Sequence, residues 1–581
     1  MALALTVYIV AHTVSGEMQD PNGFERAVER LRTAQIQRVV LESYRGGLSV
    51  DEAIMVKARD QFKTAGFETM GGLMPVWGEG FGKRGEGVET HLPFFCYSSE
   101  ETVSAIEGEI RKLARLFDDV VIDDALMTSC RCDTCDRARG DKEWPEFRQE
   151  LLCGATRRWV RAAHEENPNA KLIVKFPQTY DRYHVYGYDT AHFPEIFDGV
   201  WVGSESRDPE TVAFGYTEQY QGYFNIRWMR ACAGPKFEAA WYDYLDCNDT
   251  LFYLQAVTTA LGRPDRTVMF CYGDNLFSDN RVQRVTEGLP GLERLWQAAE
   301  HPRGVFVLKP PNSDGSGDLF IYDDFGMLGI PCVPTTQLSP DMRSVIVPAQ
   351  GFADRKTGGA IKEIIRSGGQ VIVTHAALQR ITDQPDLLAL FGYRPQGVHP
   401  VRTRISGIEL DGKVNKLEQP FHVPGDLAPE KEATIAARAK YGEFMGSRYV
   451  PLVTVMTHPS GGKAIVWNIG AFGHDAYNIE ESLCVPVRSE IPQLPAPVVN
   501  LLRNMAIEPL GFSLSAPARV ACFLFEKKAV FVNYRAEPAD IVTNGLGLDL
   551  SSLYAAAEGT AADSERSIRL APHSFAMVGM N

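Results

Sequence analysis

The sequence predicts an α/β protein: a closed (β/α)8 TIM barrel, then an open α/β domain, then a small C-terminal β-sandwich. Three observations carry this reading. Over about the first 300 residues, eight short apolar runs alternate with helical patterns, which is what an eight-stranded α/β barrel requires. These runs are continuous rather than alternating, as expected of parallel strands covered on both faces. Beyond residue 302 the rhythm changes, and from about residue 515 the chain is rich in strands and poor in helical patterns.

Taken in order, the barrel strands are expected at Leu5–Ala11, Arg38–Glu42, Thr69–Val76, Val120–Asp124, Leu172–Phe176, Gly199–Gly203, Phe237–Trp241 and Thr267–Tyr272. Helical patterns fall between them, among them Gly23–Thr33, Ser49–Ala65, Glu100–Leu116 and Trp144–Glu166. The barrel then spans 1–301. The stretches "GVFVLKPP", "SVIVPAQ" and "GGQVIVTHAAL" read as parallel strands of an open α/β domain over 302–510. No G-x-G-x-x-G follows a strand there, so a dinucleotide site is not expected. "ARVACFLFEKKAVFVNYRAE" reads as a hairpin turning at Lys527-Lys528, inside a sandwich over 511–581.

Composition narrows the function. The 581 residues are 45% hydrophobic and 23% charged, with a formal net charge of −15. That balance disfavours binding to nucleic acid through phosphate neutralisation and docking on an anionic membrane. The apolar opening segment lacks a basic n-region and a cleavage signal, and reads as a buried first strand. The eleven cysteines are mostly scattered singly, which suits a reducing, cytoplasmic setting where clustered thiols mean metal.

One such cluster exists. Cys130, Cys132 and Cys135 form C-x-C-x-x-C just after the fourth strand. Thiolates are good zinc ligands, and a closed structural site wants four. Cys96, past the third strand, is the expected fourth ligand, because loops after adjacent strands are neighbours on the barrel rim; Cys153 is its rival, though it falls in a helical pattern. Such a zinc would be structural, and catalysis would need no cofactor.

The carboxyl ends of barrel strands carry the active site in this fold. Here they bring Glu42 and Arg45, Asp123 and Asp124, Lys175 and His184, Glu205 and Arg207, and Glu238, Trp241 and Asp243. Glycoside hydrolysis needs two carboxyl groups, one to protonate the leaving oxygen and one to attack the anomeric carbon or activate water. Asp123 or Asp124 on the fourth strand can face Glu238 or Asp243 on the seventh. A sugar could stack on Trp241 and the tyrosines beside it.

The order of domains and the C-x-C-x-x-C cluster resemble the family 42 β-galactosidases and their relatives. The resemblance implies zinc at Cys96, Cys130, Cys132 and Cys135, a second, glutamine-amidotransferase-like domain of trimerisation type, a homotrimer, and a small carbohydrate substrate. It also implies a catalytic acid at the end of the fourth strand and a glutamate nucleophile on the seventh. "IDDALMTSC" departs from the family's Asp-Asn-Glu run, leaving Asp124 or Asp123 in the acid's place. The expectation is a retaining glycosidase with Asp124 as acid/base and Glu238 as nucleophile, Asp243 being its alternate. Glu42, Arg45, Lys175, His184, Glu205, Arg207 and Trp241 would bind sugar hydroxyls. Three alternatives stand beside it. One is an α-glycosidase with a fourth-strand aspartate as nucleophile and Glu205 as acid. Another is a non-catalytic carbohydrate-binding pseudoenzyme. The third is a metal-dependent hydrolase using Asp123, Asp124 and His184.

Overall fold

The computed structural model describes residues 3–87, 92–208, 218–278, 280–315, 317–442, 446–470, 488–564 and 566–580. The chain forms two compact units, the first holding the barrel and the second built mainly from Gln297 onward.

The barrel strands are β1 (Ala4–Ile9), β2 (Arg38–Arg45), β3 (Glu68–Met74), β4 (Asp119–Ile122), β5 (Lys171–Phe176), β6 (Gly199–Gly203), β7 (Phe237–Asp243) and β8 (Arg266–Phe270). Each pairs in parallel with the next, and β1 closes the ring by pairing with both β2 and β8. All eight fall where the apolar runs placed them. The barrel helices include α1 (Pro21–Thr33), α2 (Glu52–Thr64), α3 (Glu100–Leu116), α4 (Asp133–Arg139), α5 (Trp144–Glu166), α6 (Phe193–Ile196), α7 (Gln221–Ala233), α8 (Asp249–Gly262) and α9 (Arg281–Ala298). Local chemistry sets their starts. Asp20 caps α1 by accepting from the Gly23 amide, with Pro21 in the first turn. Asn248 caps α8 through the Leu251 amide.

Inward side chains fill the barrel. Tyr8, Val40, Met70, Val121, Ile173, Trp201, Ala239, Trp241 and Val268 pack into one buried cluster. Small residues make room for large ones. A side chain on Gly72 would begin 2.8 Å from Val40 and 3.0 Å from the Tyr8 ring, so glycine is required for both to point inward.

The second unit contains a nine-stranded sheet. Its parallel part runs β11 (Cys332–Thr335), β10 (Val305–Leu308), β12 (Ser344–Val347), β13 (Gln370–Thr374), β18 (Lys463–Trp467). This is the open α/β sheet read from the sequence. Four antiparallel strands extend it: β17 (Arg448–Thr457), β16 (Thr434–Tyr441), β14 (Val398–Leu410) and β15 (Lys413–Leu427). The C-terminal strands make two further sheets of five and four strands. The hairpin of β20 (Val520–Phe525) and β21 (Lys528–Asn533) turns at Glu526-Lys527, since Lys528 already pairs with Gly579. The short β9 (Pro302–Arg303) joins the five-stranded sheet beside β20 rather than the parallel sheet. No helix among the described residues is long and apolar enough to cross a membrane.

Candidate active site

Lys175 lies near the end of β5, and its ammonium is 1% exposed. Its Nζ donates to Asp124 Oδ2 at 2.5 Å and to Glu205 Oε1 at 2.8 Å, and lies 3.9 Å from Asp123 Oδ1. The same ammonium sits 4.6 Å above the centre of the Trp241 ring. Burial alone would lower the lysine pKa, but Asp124, Glu205 and Asp123 raise it above its ordinary value, so the charge is held. One buried cation thus ties the ends of β4 and β6 together over the tryptophan of β7.

The carboxylates around it differ in what they have left to offer. Asp124 retains 23% of its side-chain exposure. Glu205 is buried; one oxygen bonds Lys175, and the other has no hydrogen-bond partner among the described residues. That carboxyl group folds back over Gly203, where an added Cβ would lie 2.2 Å from Oε2, so only glycine fits. Burial pushes Glu205 up to about 7, while Lys175 opposes the shift. Asp243 at the end of β7 has partners on both oxygens. Arg207 grips it with two bonds of 2.6 and 3.1 Å, and the Leu245 amide donates at 3.0 Å.

A second layer supports the first. Asp123 Oδ1 accepts from the Asp124 amide at 2.8 Å, and its Oδ2 lies 3.4 Å from Arg45. Burial first, then the neighbouring Asp124 charge, pushes Asp123 up to about 7 against the pull of Lys175 and Arg45. Arg45 in turn clamps Glu42 at 2.8 and 2.9 Å. Glu42 also accepts from the Tyr8 hydroxyl at 2.8 Å and the Ala11 amide at 2.7 Å. Glu42 is fully buried with both oxygens occupied, so it positions its neighbours. Sequence reasoning missed Tyr8 and Phe270, which flank Trp241 at 4.8 and 5.4 Å between ring centres. Their signal was available, since both stand near the carboxyl ends of strands.

Two expectations need correction. Glu238 is the second residue of β7, at the barrel's amino end. It pairs with Lys171, the first residue of β5, at 3.5 Å and accepts from the Trp201 indole at 3.4 Å. It therefore cannot meet Asp124, which stands at the opposite end of the strands. Trp241 is 2% exposed and stacked under Lys175, which leaves no face for a sugar. His184 opens a short turn, His184–Tyr186, on the loop after β5.

The cysteines also converge. The sulfur atoms of Cys96, Cys130, Cys132 and Cys135 are buried and lie within 4.8 Å of one another. Cys96 stands 3.8 Å from Cys132 and 3.6 Å from Cys135. The Glu86 amide donates to Cys130 Sγ at 3.3 Å, which favours its thiolate, and Lys83 Nζ lies 3.9 Å from Cys132 Sγ. This donor set could hold a metal ion. Cys153 is not part of it: it lies in α5, 3.9 Å from Asp189.

Residues 2–295 match a family described as probable glycosyl hydrolase, catalytic domain. An uncharacterized protein of Saccharolobus solfataricus is 22% identical over 372 residues, covering 58% of this chain. The chain spans about 60% of the length of that curated relative. Among solved structures, the β-galactosidase of Bacillus circulans sp. alkalophilus is 11% identical and covers 100% of this chain and 99% of its own, with a TM-score of 0.65. A catalytic mutant of a GH42 β-galactosidase from G. stearothermophilus is 12% identical, with 100% and 98% covered and a TM-score of 0.64. At such identities the likeness is one of fold. The family match takes in half of the chain and every residue of the site, so this chain belongs to the glycosyl hydrolase catalytic-domain family, on a fold shared with the GH42 β-galactosidases.

Proposed function

We propose that the chain is a retaining glycoside hydrolase whose catalytic pair is Asp124 and Glu205. One observation carries the reading: both carboxyl groups bond the same buried ammonium at the carboxyl end of the barrel. These two legs of 2.5 and 2.8 Å keep the bonded oxygens within about 5.3 Å of one another, closer than the roughly 6.5–9.5 Å of an inverting pair. Asp124, bonded to Lys175 and reachable from solvent, attacks the anomeric carbon. Glu205, whose carboxyl holds its proton near neutral pH, gives it to the departing oxygen. It then takes a proton from the water that releases the sugar from Asp124. Asp243 is the weaker partner because Arg207 and the Leu245 amide already occupy both its oxygens.

The cysteine centre suits zinc. Zn–S bonds of about 2.3 Å in a tetrahedron place sulfurs about 3.8 Å apart, near the separations found here. Cys96, Cys130, Cys132 and Cys135 would hold it with no open position, fixing the loop that follows Asp124.

The test is Asp124→Asn and Glu205→Gln on a panel of dinitrophenyl glycosides of both anomeric forms. We expect Asp124→Asn to be inactive throughout. Glu205→Gln should keep kcat/KM on these substrates, whose leaving group needs no proton, with kcat lowered by slow release of the sugar from Asp124, and lose activity on alkyl glycosides. Full activity in both variants, or no turnover by the parent chain on any glycoside, would overturn the reading; the latter would leave a carbohydrate-binding barrel.

A further inference from the structure

The second unit carries a cavity of about 670 Å3 over the antiparallel extension of its large sheet, formed by β14, β15 and β16. Its chemistry contrasts with that of the chain as a whole. The chain has 74 acidic and 59 basic residues, yet this cavity is lined by Arg404, Lys416 and Lys440 with Glu418 as the single carboxylate. None of the three cations has a carboxylate partner among the described residues. The next cross-strand pair along the same sheet behaves differently, since Arg438 lies 3.7 Å from Glu409.

Register explains how the cations come together. Gly407 in β14 pairs with Lys416 of β15 on one side and with Lys440 of β16 on the other. Directly opposed residues project on the same face of a sheet, so both ammonium groups rise on either side of a position that has no side chain. Val414 leans over that position: a Cβ on Gly407 would lie 2.8 Å from its Cγ1. The result is an apolar floor with cations on its flanks. Like charges gathered across a sheet are unfavourable, and an oxyanion between them removes that cost through charge-assisted hydrogen bonds.

We infer that this cavity is a binding site for a small ligand bearing a sulfate or phosphate group. Arg404 supplies a planar fork, and the two lysines supply point charges on either side of Gly407. The volume exceeds that of a bare anion and leaves room for a substituent such as a sugar ring. The inference is independent of the catalytic assignment in the barrel.

Calorimetric titration of the full chain with inorganic phosphate, inorganic sulfate, a monosaccharide phosphate and a monosaccharide sulfate tests it. We expect saturable binding that weakens with added salt. It should fall at least about tenfold in the Lys416→Gln/Lys440→Gln double variant, as expected for two lost charge-assisted bonds. Glu418→Gln should tighten it. Stronger binding of the esters than of the free ions would assign the site to a substituted ligand, and equal binding would assign it to the ion itself. These side chains lie at the surface of the cavity, and unchanged melting of the variants in buffer checks that they fold. No saturation by any of the four at about 10 mM, or equal affinity in the double variant, would overturn the inference.

Discussion

The two ends of the barrel are built from the same strands and the same residue types, yet they do different things. β5 has Lys171 at one end and Lys175 near the other; β7 has Glu238 near one end and Asp243 at the other. At the amino end, Lys171 and Glu238 pair at 3.5 Å with 54% and 24% of their side chains exposed. Arg38, Glu68 and Arg266 form a similar open network. Such exposed pairs contribute about 0–1 kcal/mol each. At the carboxyl end, Lys175 and Glu205 are 1% and 3% exposed, and Arg207 and Asp243 are 4% and 6% exposed. There burial moves carboxyl groups up to about 7, and removing one partner strands a charge. Depth, not residue type, separates an ion pair that decorates the barrel from one able to do chemistry.

Lys175→Met should break this comparison most severely. It leaves Asp124 and Glu205 without their shared cation, so we expect about 3–5 kcal/mol of lost stability in urea unfolding, together with loss of turnover. A variant as stable and active as the parent would make the carboxyl end equivalent to the amino end.

The pH dependence comes next. Asp123 and Glu205 hold their protons to about pH 7 in the folded chain, against ordinary values near 4. The folded state therefore binds more protons across that window. Stability from these groups is full below about pH 4 and is lost as pH rises through about 7. Glu205→Gln should flatten that slope, and kcat/KM of the parent should fall as pH rises through about 7. The alkaline limb reports the coupled cluster rather than one residue. An activity that climbs from pH 6 to 8 would contradict the assignment of Glu205 as acid.

Cys132→Ser sharpens the contrast between chemistry and scaffold. We expect loss of bound metal and a Tm lowered by several degrees, with the residual folded enzyme keeping the parent's pH profile. A changed profile would place the metal in the chemistry. The smallest effect belongs to Glu238→Gln, which should alter stability by less than about 1 kcal/mol and kcat/KM by less than about twofold.

Much of this was legible in the residues. Continuous apolar runs located all eight barrel strands, and strand ends then determined which polar groups could meet. The spacing of Cys130, Cys132 and Cys135, with Cys96 one loop away, marked the cysteine centre. Glu238 was misread although its place was readable, since it is the second residue of its strand and thus at the amino end. Lys175 as the hub was not readable, because sequence does not show that one ammonium spans Asp124 and Glu205. The antiparallel strands β14 to β17 also gave no clear pattern. β14 is exposed along much of its length, and β15 carries Pro420 and Pro424, so neither continuous burial nor strict alternation marks them.

The central claim is that Asp124, held by Lys175 opposite Glu205, forms the bond to the sugar. Covalent trapping tests it most directly. The chain would be incubated with 2-deoxy-2-fluoroglycosyl fluorides of the sugars it turns over, and the labelled peptide sequenced by mass spectrometry. We expect the label on Asp124, and to lose it in Asp124→Asn. A label on Asp243 or Glu205 would contradict the account.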